Sequence, residues 1–317
     1  MSVQRILIAD PIHPHALSFL RSNSRIEVAV AKGLSEAQLI DLIADYEAII
    51  VRSKTSVTTS VIEAARRLKV IGRAGNGLDN IDVATATQRG IAVLNAPSVS
   101  SNSTAEFALA QLLSLSRNLP QAHASMRAGE WQPARFMGTQ VMSKSVGVIG
   151  FGAVGRKFAR LCLALKMEVL VHDPFLNFEN EEAGIEAVTL EELLARADYV
   201  SLHCPLTERT RHLIDAVKLA QMKPGARLIN CARGELIDET ALLEALQSGR
   251  LAGAALDVYA SEPPVNSPLL TLDSVVLTPH LGASTEEAQQ MVGLKIANDV
   301  ADLLLKDQVS LVAAASV

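Results

Sequence analysis

Short apolar runs alternate with helix-length amphipathic segments along almost the whole chain, the rhythm expected of βαβ units around a parallel sheet. In the first part the runs are "RILIA", "IEVAV", "AIIV", "KVIG" and "IAVLN". Between them lie stretches such as "EAQLIDLIADY", whose apolar positions recur at helical spacing. The pattern predicts a small doubly wound unit of five strands. Next, "NAPSVSSNSTAEFALAQLLSLSRNLP" supplies a turn, a cluster of capping residues and a long apolar helix ending near Pro120. A second series, "SVGVIG", "EVLVHD", "DYVSLH", "ARLIN", "GAALDV" and "SVVLT", predicts six strands, enough for a complete dinucleotide-binding sheet. A helix over about Glu286 to Leu305 has no strand to follow and is expected to pack back on the first unit. The fold class is therefore α/β, with a Rossmann dinucleotide-binding domain over 99–284 inserted into a smaller flavodoxin-like doubly wound domain formed by 1–98 and 285–317. No repeat of solenoid period occurs, and the small-residue tail "LVAAASV" is the one biased segment.

Composition narrows the function classes. A chain of 317 residues with 49% hydrophobic and 20% charged residues can bury more than one core. Its formal charge of −5 and lack of a long basic run exclude a nucleic-acid footprint and point to small molecules and self-association. Three cysteines, Cys162, Cys204 and Cys231, form neither an even set nor a metal-ligand spacing, so no disulfide framework and no metal site are expected. A reducing, cytoplasmic setting fits them. The N-terminus enters a strand-like run at once, without a signal segment, and no window has the length of a membrane span.

The chemistry begins at "SVGVIGFGAVGRKFARLC", where Gly150, Gly152 and Gly155 have GxGxxG spacing between a strand and an amphipathic helix. Gly150 permits the tight turn, Gly152 lets the backbone approach a pyrophosphate, and Gly155 allows close helix packing. The alternative is a glycine-rich turn with no ligand. Asp173 ends the next strand, 18 residues past Gly155, where an acid accepts hydrogen bonds from a ribose and favours NAD over NADP. As a turn residue before Pro174 it would need no ligand. Three more strand ends carry Arg233 in "CARGELID", Glu262 in "YASEPP" and His280 in "TPHLGAST". Each has a dull reading as a surface charge, a loop acid or a turn histidine. Together they form an anion-binding and acid–base set on the side where an open parallel sheet takes ligands.

"GFGAVG", "NCARGELID", "AGAALDVYASEPP" and "TPHLGAST", in this order and spacing, resemble the D-isomer-specific 2-hydroxyacid dehydrogenase family over nearly the whole chain. "GRAGNGLDNID" and "FMGTQ" look closest to the branch acting on 3-phosphoglycerate. The resemblance implies NAD as cofactor, an anionic 2-hydroxy or 2-keto acid as substrate, and the unit of 1–98 and 285–317 as the substrate domain. It gives Arg233 the substrate carboxylate and keto oxygen, His280 the acid–base step, and Glu262 a hydrogen bond to the histidine. Further cofactor contacts implied are Ala153, Val154, Cys204, Cys231, Ala232, Asp257, Gly282 and Ala283. A homodimer is implied through the segment "HASMRAGEWQPARFMG", whose Trp131 is the sole tryptophan and reads equally as an interface anchor or a core residue. Arg52 and Arg73, at strand ends of the first domain, suggest a second anionic group on the substrate. Asn76 and Gly77 offer backbone N–H groups to a carboxylate, and Arg135 adds a cation from the partner subunit. Surface solvation is the alternative for each arginine. A phosphate suits the cluster, as does the sulfonate of sulfolactate, whereas lactate or glycerate leaves it without purpose. The chain stops at Val317, without room for the regulatory domain of longer family members, so serine feedback is not expected. An NAD-sensing, peptide-binding corepressor on the same scaffold is the non-enzymatic alternative. The cysteines lack a local base, which argues against thiol catalysis.

Overall fold

The computed structural model describes residues 3–176 and 183–305, so the small-residue tail lies outside the described residues. The chain divides into two compact units, one of Met1–Ser100 with Thr285–Val317 and one of Ser101–Ser284. Among the described residues no helix is long and apolar enough to cross a membrane.

The first unit alternates β1 (Gln4–Ile8), α1 (Pro14–Arg21), β2 (Ile26–Val30), α2 (Glu36–Ile43), β3 (Ala48–Val51), α3 (Thr59–Ala64), β4 (Val70–Arg73), α4 (Val83–Gln88) and β5 (Ala92–Leu94). All pairings are parallel, in the order β2-β1-β3-β4-β5, the flavodoxin-like arrangement. Alternate residues of the central strands face opposite sides. Ile6, Ile8, Ile50 and Val70 join Ala16 and Leu20 of α1 in one cluster, while Leu7, Ile49, Val51 and Ile71 join Leu39, Ile43, Val61 and Ile62 in another. The last helix, Glu286–Leu305, is α11 and covers the first of these faces with Val292, Ile296 and Val300. Its close approach depends on Gly72 in β4, where a methyl group would lie 2.8 Å from Ile296 Cγ2 and from Val300 Cγ2.

The second unit opens with α5 (Ser101–Ser116) and α6 (Leu119–Arg127). Pro120 does not close the long helix as the sequence suggests. It occupies the first turn of α6, where its missing N–H and fixed φ cost nothing, and α5 has already ended at Ser116. A 3-10 turn, Pro133–Phe136, follows. Then come β6 (Ser145–Ile149), α7 (Ala153–Ala164), β7 (Glu168–His172), β8 (Ile185–Ala187), α8 (Leu190–Arg196), β9 (Tyr199–Leu202), α9 (Ala216–Gln221), β10 (Ala226–Asn230), α10 (Glu239–Gln247), β11 (Leu251–Leu256) and β12 (Val275–Leu277). Among the described residues the sheet has seven parallel strands, not six, in the order β12-β11-β10-β9-β6-β7-β8. The additional strand, β8, is three residues long, pairs with β7 alone and has one buried apolar side chain, Ile185, too little to register as an apolar run. The order is the dinucleotide-binding one, with β12 appended beyond the sixth strand. One face carries α8, α9 and α10 and the other α5 and α7, so both sides of every central strand are apolar.

Candidate active site

Strand order reverses between β6 and its neighbours β7 and β9, and the glycine loop leaves the sheet at that switch point. Gly150 has φ +91°, and a Cβ there would meet the Cys204 backbone nitrogen at 2.5 Å. A Cβ on Gly155 would lie 2.1 Å from the Gly150 carbonyl oxygen, so the first turn of α7 sits directly on the loop. Gly152 differs, because a Cβ there would meet no heavy atom within 4 Å. It is the N-cap of α7 and brings no side-chain cap, so the N–H groups around Ala153, Val154 and Gly155 face that open side. A bare helix N-terminus beside an unobstructed glycine fits a pyrophosphate.

Asp173 follows β7. Its Oδ2 accepts from Phe151 N at 2.7 Å and its Oδ1 from Phe175 N at 2.9 Å, which ties the glycine loop to the adjoining strand end. Each carboxylate oxygen keeps a second lone pair for a ribose hydroxyl. Burial pushes the Cys204 thiol up to about 11, with the Asp173 charge adding to the effect. Burial likewise raises Cys231, and takes Cys162 up to about 12. All three are free thiols in environments that suppress the thiolate, so they pack rather than react.

Past β10, the buried Asn230 shapes the turn that carries Arg233. Its Oδ1 accepts from Ala232 N at 3.0 Å, and its Nδ2 donates to the Arg233 carbonyl at 2.8 Å. The Arg233 guanidinium donates to the Ala232 carbonyl at 2.8 Å. Gly234 lets this turn press against the next one, since a Cβ there would lie 1.9 Å from the Tyr259 carbonyl carbon. In that second turn Glu262 accepts from Tyr259 N through Oε1 at 3.3 Å. Its other oxygen, Oε2, meets His280 Nδ1 at 2.8 Å.

His280 follows β12 with φ +55°, a left-handed conformation that costs a non-glycine residue about 1–2 kcal/mol. Asp257 holds the turn. Its carbonyl accepts from His280 N at 2.8 Å, while its fully buried carboxylate accepts from Thr278 Oγ1 at 2.6 Å, Leu281 N at 2.7 Å and Gly282 N at 2.8 Å. Ala283 continues the same turn, and Tyr259 Oη closes it by donating toward the Leu256 and Thr278 carbonyls. Because an ionised carboxylate only accepts, the Glu262 contact places the ring proton on Nδ1 and leaves Nε2 for exchange. The side chains of His280 and Glu262 are 49% and 39% exposed, so the pair adds little to stability and acts by orienting the ring. Arg233, Glu262 and His280 thus come from turns that are braced against one another.

In the first unit Arg52 follows β3 and Arg73 ends β4. The buried Asp10 carboxylate accepts from Arg52 N at 2.6 Å, Thr55 N at 3.1 Å and Thr55 Oγ1 at 2.9 Å. Asn80 Nδ2 donates to the Arg52 and Thr55 carbonyls. The turn of Asn76 and Gly77 is pinned by Asn95 Nδ2 donating to the Asn76 carbonyl at 2.7 Å and Ala96 N to that of Gly75 at 2.8 Å. Arg135 lies in the 3-10 turn of the second unit, its guanidinium 4.0 Å from Glu130 and 3.9 Å from Asp273. Those acids, rather than the His280 cluster, are its ionic neighbours. Sequence reasoning missed Asp10, Asn80, Asn230 and Gly234. An acid at the end of "RILIAD" and an asparagine at the end of "ARLIN" were the signals for two of them.

Residues 109–282 match the family described as D-isomer specific 2-hydroxyacid dehydrogenase, NAD binding domain. The chain is 48% identical over 302 residues to a D-3-phosphoglycerate dehydrogenase of Methanocaldococcus jannaschii, an alignment covering 95% of this chain and 57% of that protein. It therefore spans little more than half the length of such relatives. Among solved structures it is similar to the TT0316 protein of Thermus thermophilus, with a TM-score of 0.88 at 34% identity, covering 95% of this chain and 97% of that one. A glyoxylate reductase from Paecilomyes thermophila superposes with a TM-score of 0.87 at 32% identity and covers 98% of each chain. The chain belongs to the D-isomer specific 2-hydroxyacid dehydrogenases and carries their NAD-binding domain.

Proposed function

We propose that this protein reduces an anionic 2-keto acid, 3-phosphohydroxypyruvate above all, to its D-2-hydroxy acid and catalyses the reverse oxidation. The observation that carries the reading is the His280 Nδ1 to Glu262 Oε2 contact of 2.8 Å, in turns braced against that of Arg233. Bound NADH supplies the hydride. In the reduction His280 starts as the imidazolium, gives its Nε2 proton to the forming alkoxide and is left neutral with its remaining proton on Nδ1, where Glu262 holds the ring in the rotation that allows this. Arg233 binds the carboxylate and stabilises negative charge on the reacting oxygen. Asn76 and Gly77 offer N–H groups to the carboxylate, Arg52 and Arg73 take the distal phosphate, and Arg135 serves the neighbouring subunit. On the cofactor side Gly150, Gly152, Ala153, Val154 and Gly155 take the pyrophosphate and Asp173 the ribose. Cys204, Cys231, Ala232, Asp257, Gly282 and Ala283 line the rest of the cofactor's path.

A homodimer follows from the segment between α5 and β6, where Leu119, Met126, Trp131 and Met137 are 53%, 55%, 80% and 83% exposed. The exposure of Trp131 argues against a core role and for an interface anchor. Free thiols and a nicotinamide reaction suit the cytoplasm. Reduction of a small keto acid whose carboxylate is its one anionic group is the second reading, favoured by the likeness to a glyoxylate reductase.

The test is a substrate panel with NADH: 3-phosphohydroxypyruvate, 3-sulfopyruvate, hydroxypyruvate and glyoxylate. The phosphorylated acid is expected to lead in kcat/KM, and His280→Gln to lower kcat by about 100-fold or more while NADH still binds. No turnover on any member would end the enzymatic reading. Equal efficiency across the panel would remove the requirement for a second anionic group and leave the small monoanionic keto acid.

A further inference from the structure

Glycine at position 75 is explained by neither a turn conformation nor a backbone contact. Its φ is outside the left-handed region, so alanine is admissible there. What fills the space above its α-carbon is the Arg73 side chain. A methyl group on residue 75 would lie 1.5 Å from Arg73 Nη1, 2.7 Å from Cζ and 3.4 Å from Nε, and these are its three nearest neighbours. Beyond the adjoining residues, every other heavy atom is therefore at ordinary van der Waals distance or farther. The main chain around the glycine is fixed, with Gly75 N donating to the Arg73 carbonyl at 2.8 Å and Ala96 N to the Gly75 carbonyl at 2.8 Å. Ala74 N donates to the Val51 carbonyl at 2.8 Å, which ties the turn to β3 immediately before Arg52. The backbone cannot easily retreat, whereas the guanidinium can swing. The cost of a methyl group falls on the position of one cation and not on the sheet.

We infer that Gly75 is a specificity-determining residue: its bare α-carbon is the floor on which the Arg73 guanidinium rests, and that position lets the enzyme prefer a substrate with a second anionic group. Gly75 touches no substrate and acts through Arg73. The inference rests on the proposed anionic substrate and deepens it, because it explains what leaves room for the fork in its observed orientation. A planar fork recognises a phosphate through paired hydrogen bonds, and a swing of an ångström or two loses them.

The test is a cycle of four full-length proteins, wild type, Gly75→Ala, Arg73→Ala and the double variant, each assayed with NADH against 3-phosphohydroxypyruvate and hydroxypyruvate. The readout is the ratio of kcat/KM for the two acids. Gly75→Ala is expected to lower that ratio about tenfold, close to 1.4 kcal/mol, through KM for the phosphorylated acid and not through kcat. In the Arg73→Ala background the methyl meets only ordinary contacts, so the double variant folds wherever Arg73→Ala does and should show the ratio of Arg73→Ala alone. The inference is overturned if Gly75→Ala keeps the wild-type ratio, if it raises KM equally for both acids, or if it lowers the ratio equally in both backgrounds. A wild type without preference between the two acids overturns the anionic-substrate reading itself, and a preference that survives Gly75→Ala overturns the role of Gly75 alone.

Discussion

A histidine held at φ +55° is an expensive way to make a turn, and the expense is met by Asp257, whose carbonyl and carboxylate take four donors from Thr278, His280, Leu281 and Gly282. A second histidine, His203 after β9, shows the opposite economy. Burial pushes its imidazole down to about 3, its Nε2 lies 2.9 Å from Ser201 Oγ, and its ring packs 4.9 Å from that of Phe158. It stays neutral in the native protein but titrates normally once unfolded. The unfolded state then binds more protons, so the stability His203 contributes is complete above about pH 6.5 and is lost progressively as pH falls toward its folded value. Thermal melts between about pH 7 and pH 5, above the range in which most carboxylates protonate, should show a falling midpoint in the wild type. A His203→Asn variant should give a flatter profile over the same window. Parallel slopes for the two proteins would contradict the assignment.

At the level of elements, α11 is the piece whose seat is most narrowly defined. Gly72 lies beneath Ile296 and Val300, one turn apart on the helix, and both γ-methyls would be 2.8 Å from an added Cβ. Neither branched side chain has a free rotamer in a helix, so the helix itself must shift. Gly72→Ala should therefore cost about 1–3 kcal/mol, seen as a fall of several degrees in the unfolding midpoint. An unchanged midpoint would show that the helix has slack at this contact. The same scale shows what the residue pattern can reveal. All five strands of the first sheet and six strands of the second stand out as apolar runs; the central ones do so because strands buried on both faces are apolar at nearly every position. β8 does not, because its three residues, Ile185, Glu186 and Ala187, put an acid at the centre and so form no apolar run, unlike the equally short β5 of Ala92, Val93 and Leu94. The break between α5 and α6 is hidden for a different reason: a proline signals either the end of a helix or its first turn, and here it is the latter.

For the molecule as a whole, the glycine loop and the turns of Arg233, Glu262 and His280 are visible as local strings, since each needs particular residues within a few positions. The groups that brace the Arg52 turn of the first unit and the His280 turn of the second are not. Asp10 meets residues 42 and 45 positions away, and Asp257 holds amides 24 and 25 positions on. No local pattern encodes a partner at that distance; only the parallel crossover brings the strand ends together. Assembly belongs to this scale too. If the exposed segment between α5 and β6 is the proposed dimer contact, Trp131→Glu should sediment as a monomer where the wild type sediments as a dimer, because it replaces an exposed aromatic side chain of that segment with a charge. If Arg135 serves the neighbouring site, the monomer should also lose part of its preference for a phosphorylated substrate. A Trp131→Glu protein that sediments as the wild type does would remove the dimerisation role.

The guanidinium lying over Gly75 has, finally, an evolutionary meaning. Glycine and alanine codons differ by a single base, and the atoms an alanine methyl would crowd at this position belong to the Arg73 side chain and not to the backbone. If Gly75 sets the preference proposed above, a lineage stands a single mutational step from a relaxed substrate range, with no intermediate that must survive as an unstable protein. The step is equally easy to reverse, so substrate preference in such a scaffold can drift and return while the fold stays unchanged.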